Sequence, residues 1–165
     1  MMPSFEQAFN NSRGMSINYN GLELHSIDRI SVTTKFSGTI KLISTNSEWL
    51  QAACLRVSDK PQSNKLKIGD NLNIQVGKKF ALWEDYLEND IIRFEGTSKD
   101  GQLIVYNAWR EEHSWGDEKL NPFTNFWQNG AAMIVEINGN TRRYRCNDGH
   151  PDDNFDDIVF EITID

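Results

Sequence analysis

Apolar and polar residues alternate with a period of two through much of this chain. In the segment SVTTKFSGTIKL, at 31–42, the even-numbered positions are mostly apolar and the odd-numbered positions are all polar. Such alternation is typical of strands in an antiparallel sheet that has one buried and one wet face. It returns in LKIGDNLNIQV, IIRFEG, QLIVY, AMIVEI and IVFEITI. The pattern therefore predicts a protein built mainly of β-strands.

Turn signals lie between these segments, as the dipeptides Asn20-Gly21, Asp100-Gly101, Asn129-Gly130 and Asn138-Gly139. Two-residue hairpins favour such pairs because both positions take a positive φ, and the segment VEINGNTRRYR is the clearest candidate. Helix signals are weak, and SFEQAFNN near the start, with a capping-box spacing, predicts one short helix. About eight short strands with almost no helix indicate an all-β fold, an antiparallel β-sandwich of jelly-roll or Greek-key type. With 165 residues and no linker or repeat, we expect a single β-sandwich domain over 1–165.

Charge and hydropathy narrow the function classes. The chain has 24 acids, 17 bases and a formal net charge of −7, which argues against a nucleic-acid partner because phosphate backbones need a positive surface. No apolar run approaches the length of a membrane-spanning helix. The first residues lack the basic start and apolar run of a signal peptide. We therefore expect a soluble protein that is cytoplasmic or released by a non-classical route, in which Cys54 and Cys146 are buried thiols rather than a disulfide.

The last nineteen residues carry the whole net charge. Seven acids and no Lys or Arg lie from position 147 to 165, which leaves 24 − 7 = 17 acids against 17 bases elsewhere. Asp152, Asn154 and Asp156 alternate in the segment before the last strand, and Asp157 follows them. Carboxylate and amide oxygens at this spacing suit calcium, although the Gly and Glu of an EF-hand loop are missing. The alternative is a solvated acidic turn that caps the strand.

The sequence NDGHPDDNFDDIVFEI resembles the calcium-binding end of the bacterial calcium-dependent β-sandwich lectins that bind fucose and mannose. The resemblance implies metal ligands at Asn147, Asp148, Asp152, Asn154, Asp156 and Asp157, with the ion completed by sugar hydroxyls. It also implies calcium as cofactor, a glycan or glycoconjugate as partner, and a dimer or larger assembly in which the chain end near Asp165 reaches the metal across the dimer. Two departures are the extra residue at His150-Pro151 and Asn147 in place of an acid, which lowers the ligand charge.

Residues 106–130, YNAWREEHSWGDEKLNPFTNFWQNG, form an unusually aromatic segment. Trp109, Trp115 and Trp127 are candidate ligand-binding residues, because indole rings suit both sugar faces and bilayer interfaces. The alternative is that they fill the core. The order of Trp109, Ser114-Trp115-Gly116, Asn125 and Trp127 is also similar to a stretch of the aegerolysins. That resemblance implies membrane-lipid binding or a pore-forming, toxin-like role.

Catalytic signatures are missing from the sequence. His25, His113 and His150 are far apart, and neither a nucleophile elbow nor a phosphate-binding loop occurs. We expect Arg142, Arg143 and Arg145 to neutralise the acidic turn or to lie on a wet strand face. The sequence therefore favours a non-enzymatic, calcium-dependent carbohydrate-binding protein, with a membrane-lipid-binding sandwich as the alternative.

Overall fold

A computed structural model describes residues 5–13, 16–69, 74–88, 91–110, 131–149 and 154–165. These residues form two short helices, α1 (Phe5–Asn11) and α2 (Glu84–Leu87). They also form thirteen strands: β1 (Ile17–Tyr19), β2 (Leu22–Leu24), β3 (Asp28–Ser31), β4 (Lys35–Thr45), β5 (Leu50–Arg56), β6 (Lys65–Ile68), β7 (Gln75–Gly77), β8 (Lys79–Trp83), β9 (Ile91–Thr97), β10 (Gln102–Arg110), β11 (Ala132–Asn138), β12 (Thr141–Asn147) and β13 (Ile158–Ile164). Eight of them have five or more residues, and the other five have three or four.

Two antiparallel sheets and one hairpin contain all of these strands. The small sheet has the order β3-β10-β5-β8, the large sheet has the order β11-β12-β13-β4-β9-β6-β7, and β1 pairs with β2. One apolar core draws its residues from both sheets, including Leu55 and Val105 of the small sheet and Ile40 and Phe160 of the large sheet. The prediction of an all-β, sandwich-like fold is confirmed, and most of the strands beyond the expected eight are short edge pieces.

The N-terminal helix forms where the capping-box spacing predicts it. Phe5 and Phe9, one turn apart, are buried against Leu24, Ala132 and Phe155 in a second apolar cluster. The rings of Phe5 and Phe155 stack with their centroids 6.1 Å apart. Helix α1 therefore packs directly against the segment that leads into the last strand.

The Asn-Gly signals have different outcomes. The predicted hairpin between β11 and β12 forms, but its two loop residues are Gly139 and Asn140, because Asn138 belongs to β11 and pairs with Thr141. Only Gly139 of the predicted dipeptide has a positive φ, 65°. Asn20-Gly21 joins β1 to β2. Asp100-Gly101 joins β9 to β10, which lie in different sheets, so it is a connection between sheets and not a hairpin turn. Asn129-Gly130 lies outside the described residues.

A buried polar contact ties the two sheets together. Asp28 of β3 is 8% exposed, and its Oδ2 accepts hydrogen bonds from the Tyr144 hydroxyl at 2.7 Å and from Nη1 of Arg142 at 2.8 Å. Both donors lie on β12 of the large sheet. Burial and the nearby Asp28 carboxylate raise the pKa of Tyr144, so its hydroxyl stays protonated and can donate.

Both cysteines are free and buried, as expected. Burial raises the pKa of each thiol. Of the helices in the described residues, none is long and apolar enough to cross a membrane.

Candidate functional site: the acidic corner

The residues on either side of positions 150–153 are brought together by strand pairing. Strand β12 ends at Asn147 and β13 begins at Ile158, and the two strands are antiparallel neighbours with Cys146 opposite Ile158. The backbone N–H of Asp157 donates to the Cys146 carbonyl at 3.0 Å. We call the resulting group, Asn147, Asp148 and the segment 154–157, the acidic corner. Of the predicted metal ligands, Asp152 lies outside the described residues.

Two carboxylates of the corner are buried and held by donors. Asp148 is 0% exposed and Asp157 is 5% exposed. Oδ2 of Asp157 accepts from the backbone N–H of Asp148 at 2.9 Å. Oδ2 of Asp148 accepts from Oγ of Ser47 at 2.6 Å and from Nε2 of Gln51 at 3.0 Å. Both carboxylates are therefore fixed in orientation, as groups that surround a metal usually are.

Asn147 uses its side chain to shape the turn. Its Oδ1 accepts from the backbone N–H of Phe155 at 2.7 Å, and its carbonyl accepts from Nδ2 of Asn107 at 2.9 Å. Phe155 has a φ of 54°, a left-handed conformation that is unfavourable for an aromatic residue. The hydrogen bond to Asn147 and the packing of the Phe155 ring beside α1 stabilise this conformation. The amide that replaces an acid here therefore has a structural role.

The open side of the corner carries Asp156 and Asn154. Asn154 is exposed and Asp156 is half-buried. Oδ2 of Asp156 accepts from Nδ2 of Asn46 at 2.9 Å, and the backbone N–H of Asn46 donates to the Asp157 carbonyl at 3.0 Å. Asn46, in the connection between β4 and β5, thus contacts the corner through both its backbone and its side chain.

Gln51 has a buried acceptor without a donor. Its Nε2 donates to the Trp49 carbonyl at 3.1 Å and to Asp148, which fixes the orientation of the amide. Its Oε1 has no hydrogen-bond partner among the described residues. Most buried polar atoms in proteins have a partner. An acceptor of this kind next to a carboxylate suits a cation or an ordered water molecule.

Trp109 lies beneath the corner and is completely buried. It pairs with Gln51 across the small sheet, and a Cβ added to Gly149 would come within 3.0 Å of its Cζ2 atom. Burial leaves Trp109 no ring face on which a ligand could stack, so it fills the core, the alternative weighed for the aromatic segment. Trp115 and Trp127 lie outside the described residues. Trp49, half-buried on the connection between β4 and β5, is a tryptophan beside the corner that the sequence analysis missed.

Asp165 lies at the opposite end of β13 from the corner. Six residue steps from Ile158 to Ile164 span about 20 Å in a strand. Oδ2 of Asp165 accepts from Oγ of Ser37 at 2.7 Å and from Nη2 of Arg93 at 2.8 Å. These two hydrogen bonds lower the pKa of the Asp165 carboxyl. Asp165 therefore cannot reach the corner of its own chain, and any contact with a metal there would require a second chain.

The three arginines of β12 neutralise acids outside the corner, contrary to one of the two roles expected for them. Arg142 contacts Asp28, Arg143 contacts Glu161 at 2.7 Å, and Arg145 contacts Glu136 at 2.7 Å. These partners lie on β3, β13 and β11. Strand pairing explains two of these contacts, because β13 and β11 lie on either side of β12 and bring Glu161 and Glu136 beside Arg143 and Arg145. Arg142 instead reaches across the core to Asp28 of the small sheet.

The predicted ligand set is incomplete within the described residues. There, no group of three or more His, Cys, Asp or Glu side chains is arranged to hold a metal ion. A complete set would need oxygens from residues 150–153, which include Asp152 and Asp153. Ser47 and Gln51 gave no signal in the sequence, because each is an ordinary polar residue until the fold places it beside Asp148.

No protein-family model, curated protein or solved structure matches this chain. The functional evidence is therefore the geometry of the acidic corner and the resemblance carried by its sequence.

Proposed function

We propose that this protein is a calcium-dependent carbohydrate-binding protein that holds its ion at the acidic corner. The observation that carries the proposal is the pair of buried carboxylates, Asp148 and Asp157, which lie at one strand end beside the buried Oε1 of Gln51 and next to the loop that holds further acids. Carboxylate and amide oxygens are the ligands that calcium prefers.

The hydrogen bonds of the corner fit this role. Ser47 and Gln51 donate to Asp148, and the backbone N–H of Asp148 donates to Asp157. Asn46 donates to Asp156. Orientation by such donors reduces the entropy that a metal site loses on binding. Asp152 and Asn154 would add oxygens from the loop, as the lectin resemblance implies.

Sugar recognition would occur at the open side of the corner. Calcium accepts six to eight oxygen ligands, so sugar hydroxyls can complete a set that the protein leaves unfinished. Half-buried Trp49 is the proposed aromatic contact in place of Trp109, because its backbone bonds to Ser47 and Gln51, the two residues that hold Asp148. Indole rings present a flat apolar face of the kind that packs against sugar rings.

The first test is the melting temperature of EDTA-stripped protein with and without millimolar calcium, with magnesium as the control ion. A ligand at 100 times its Kd stabilises by about 2.7 kcal/mol, which is a shift of roughly 5–10 °C for a chain of this size. Asp156→Asn should abolish the shift, and Asp59→Asn, an exposed acid elsewhere, should preserve it. A melting temperature that calcium does not change would remove both the metal and the lectin proposal.

The second test is binding to a glycan array with and without EDTA. Binding that EDTA abolishes and calcium restores is the expected result. Liposome sedimentation in EDTA, without glycan binding, would instead favour the lipid-binding alternative, whose residues Trp115 and Trp127 lie outside the described part of the chain. Turnover of a bound glycan would identify an enzyme.

A further inference from the structure

A cationic groove lies on the outer face of the large sheet, where β4, β9 and β6 run side by side. Its volume is about 310 Å³, and it is lined by Lys35, Phe36, Lys65, Lys67, Glu95, Gly96 and Thr97. We call it the lysine groove. Phe36, Leu66 and Phe94 of the same strands are buried in the core. Because side chains alternate along a strand, the lysines point to the other face.

Strand register places the lysines around one hydroxyl. Thr97 of β9 pairs with Lys35 on one side and with Lys65 on the other. Side chains directly opposite each other in an antiparallel sheet have Cβ atoms about 5 Å apart. The Thr97 hydroxyl therefore lies between two lysine side chains on the same face.

The next row of the groove is partly neutralised. Glu95 pairs with Lys67, and Nζ of Lys67 is 3.8 Å from Oε1 of Glu95. Lys35 and Lys65 form no ion pair with any residue in the described part of the chain. The charged side chains that line the groove thus sum to 3 − 1 = +2, in a chain whose formal net charge is −7.

The groove is separate from the acidic corner. Strand β4 runs from Lys35 in the groove to Thr45, next to the residues that contact the corner. Its ten residue steps span about 33 Å. Since exposed charges more than about 10 Å apart are largely screened at ordinary salt concentrations, the two features act independently.

We propose that the lysine groove binds a sulfate or phosphate group. Two ammonium groups and a hydroxyl around one concavity offer donors to several oxygens of a tetrahedral anion. Lysine binds phosphate as a point charge and needs no fixed two-pronged geometry. An anion in the groove would also relieve the repulsion between Lys35 and Lys65, which face the same hydroxyl. The lysine groove is positively charged, whereas the acidic corner is negatively charged, so the two sites suit ligands of opposite charge.

The test is an amide NMR titration of the ¹⁵N-labelled protein with sodium phosphate, at ionic strength kept constant with sodium chloride. We expect saturable shifts at the amides of Lys65, Lys67 and Thr97. The double variant Lys35→Gln/Lys65→Gln should weaken binding about tenfold, since each exposed charge pair contributes modestly. Lys41→Gln is the matched control, because Lys41 lies on the same face of β4 about 20 Å away and should leave the titration unchanged.

Further titrations separate the sources of the anion. Inorganic sulfate, a hexose 6-sulfate and the same hexose without sulfate are compared. Tighter binding of the sugar sulfate than of inorganic sulfate assigns the groove to sulfated glycans, and equal binding assigns it to the free ion. In both cases the double variant must weaken binding.

Two results would overturn the proposal. One is the lack of saturable shifts in the groove beyond those that chloride causes. The other is an unchanged affinity in the double variant with an unchanged melting temperature. Asp156→Asn should not affect the phosphate titration, so failure at the acidic corner and failure at the groove are distinguishable.

Discussion

The backbone N–H of Asp148 donates a 2.9 Å hydrogen bond to Oδ2 of Asp157, and this contact joins the end of β12 to the start of β13. Both side chains are buried. A buried carboxylate is strongly destabilising unless donors surround it. Ser47 and Gln51 supply such donors to Asp148. The base of the acidic corner is therefore held together by hydrogen bonds from the surrounding fold.

Replacing Asp148 should destabilise the protein even without calcium. Asp148→Ala leaves Oγ of Ser47 and Nε2 of Gln51 without their shared acceptor, and we expect a loss of about 1–3 kcal/mol in the free energy of unfolding. The measurement is urea denaturation in EDTA. Asp156→Ala is the matched control. Because the Asp156 carboxylate is more exposed, its removal should change the free energy of unfolding by less than about 0.5 kcal/mol. Equal losses in the two variants would contradict the structural role of Asp148.

The contact between Tyr144 and Asp28 should stabilise the packing of the two sheets. Tyr144→Phe removes the 2.7 Å hydrogen bond and leaves the buried Asp28 carboxylate with the Arg142 donor. We expect a loss of about 1–3 kcal/mol, because a buried acceptor loses a partner. Chemical denaturation at pH 7 measures it. Tyr86→Phe, at a ring that is 38% exposed, is the control and should be nearly neutral. A neutral Tyr144→Phe would show that Arg142 alone satisfies Asp28.

The alternation of apolar and polar residues predicted which face of a strand is buried, but it did not predict which strands are neighbours in a sheet. The pattern in IVFEITI correctly buries Ile158, Phe160 and Ile162, but it wrongly places Val159, which is 3% exposed, on the wet face. Such a local pattern cannot indicate that Gln51 contacts Asp148, which lies 97 residues later in the sequence. The same limit explains the lysine groove, because Lys35 and Lys65 become neighbours of Thr97 through sheet order, which local sequence does not encode.

Residue type also proved ambiguous for the tryptophans. A Trp suits a ligand surface and a core equally well, so Trp109 could not be assigned from its sequence. The structure buries it on β10, a central strand of the small sheet, with its ring against Gly149. The turn at Asn20-Gly21 was predictable, since that dipeptide and the flanking strands are contiguous in sequence and both residues take the positive φ that such a turn requires.

The two thiols should be unreactive in the native protein. The thiolate is the nucleophile, and burial raises the pKa of both Cys54 and Cys146. With Ellman's reagent at pH 8 we expect less than a tenth of the thiols to react over minutes, and two per chain after guanidinium is added. Rapid native reaction of either thiol would contradict its burial. A count of zero after denaturation would contradict the free state of the pair.

The carboxyl of Asp165 should titrate below its usual value of 3.8 because Ser37 and Arg93 donate to it. A carboxyl with a depressed folded pKa stabilises the protein above its unfolded pKa and loses that contribution as the pH falls through the folded pKa. The stabilisation from Asp165 should therefore be complete at pH 7 and disappear at pH values below about 3.8. Arg93→Gln should raise the pKa of Asp165, as measured by NMR of the side-chain carboxyl carbon. Arg145→Gln, which removes the partner of Glu136 on another strand, should leave that pKa unchanged, and a shift of equal size in both variants would point to a general effect of charge.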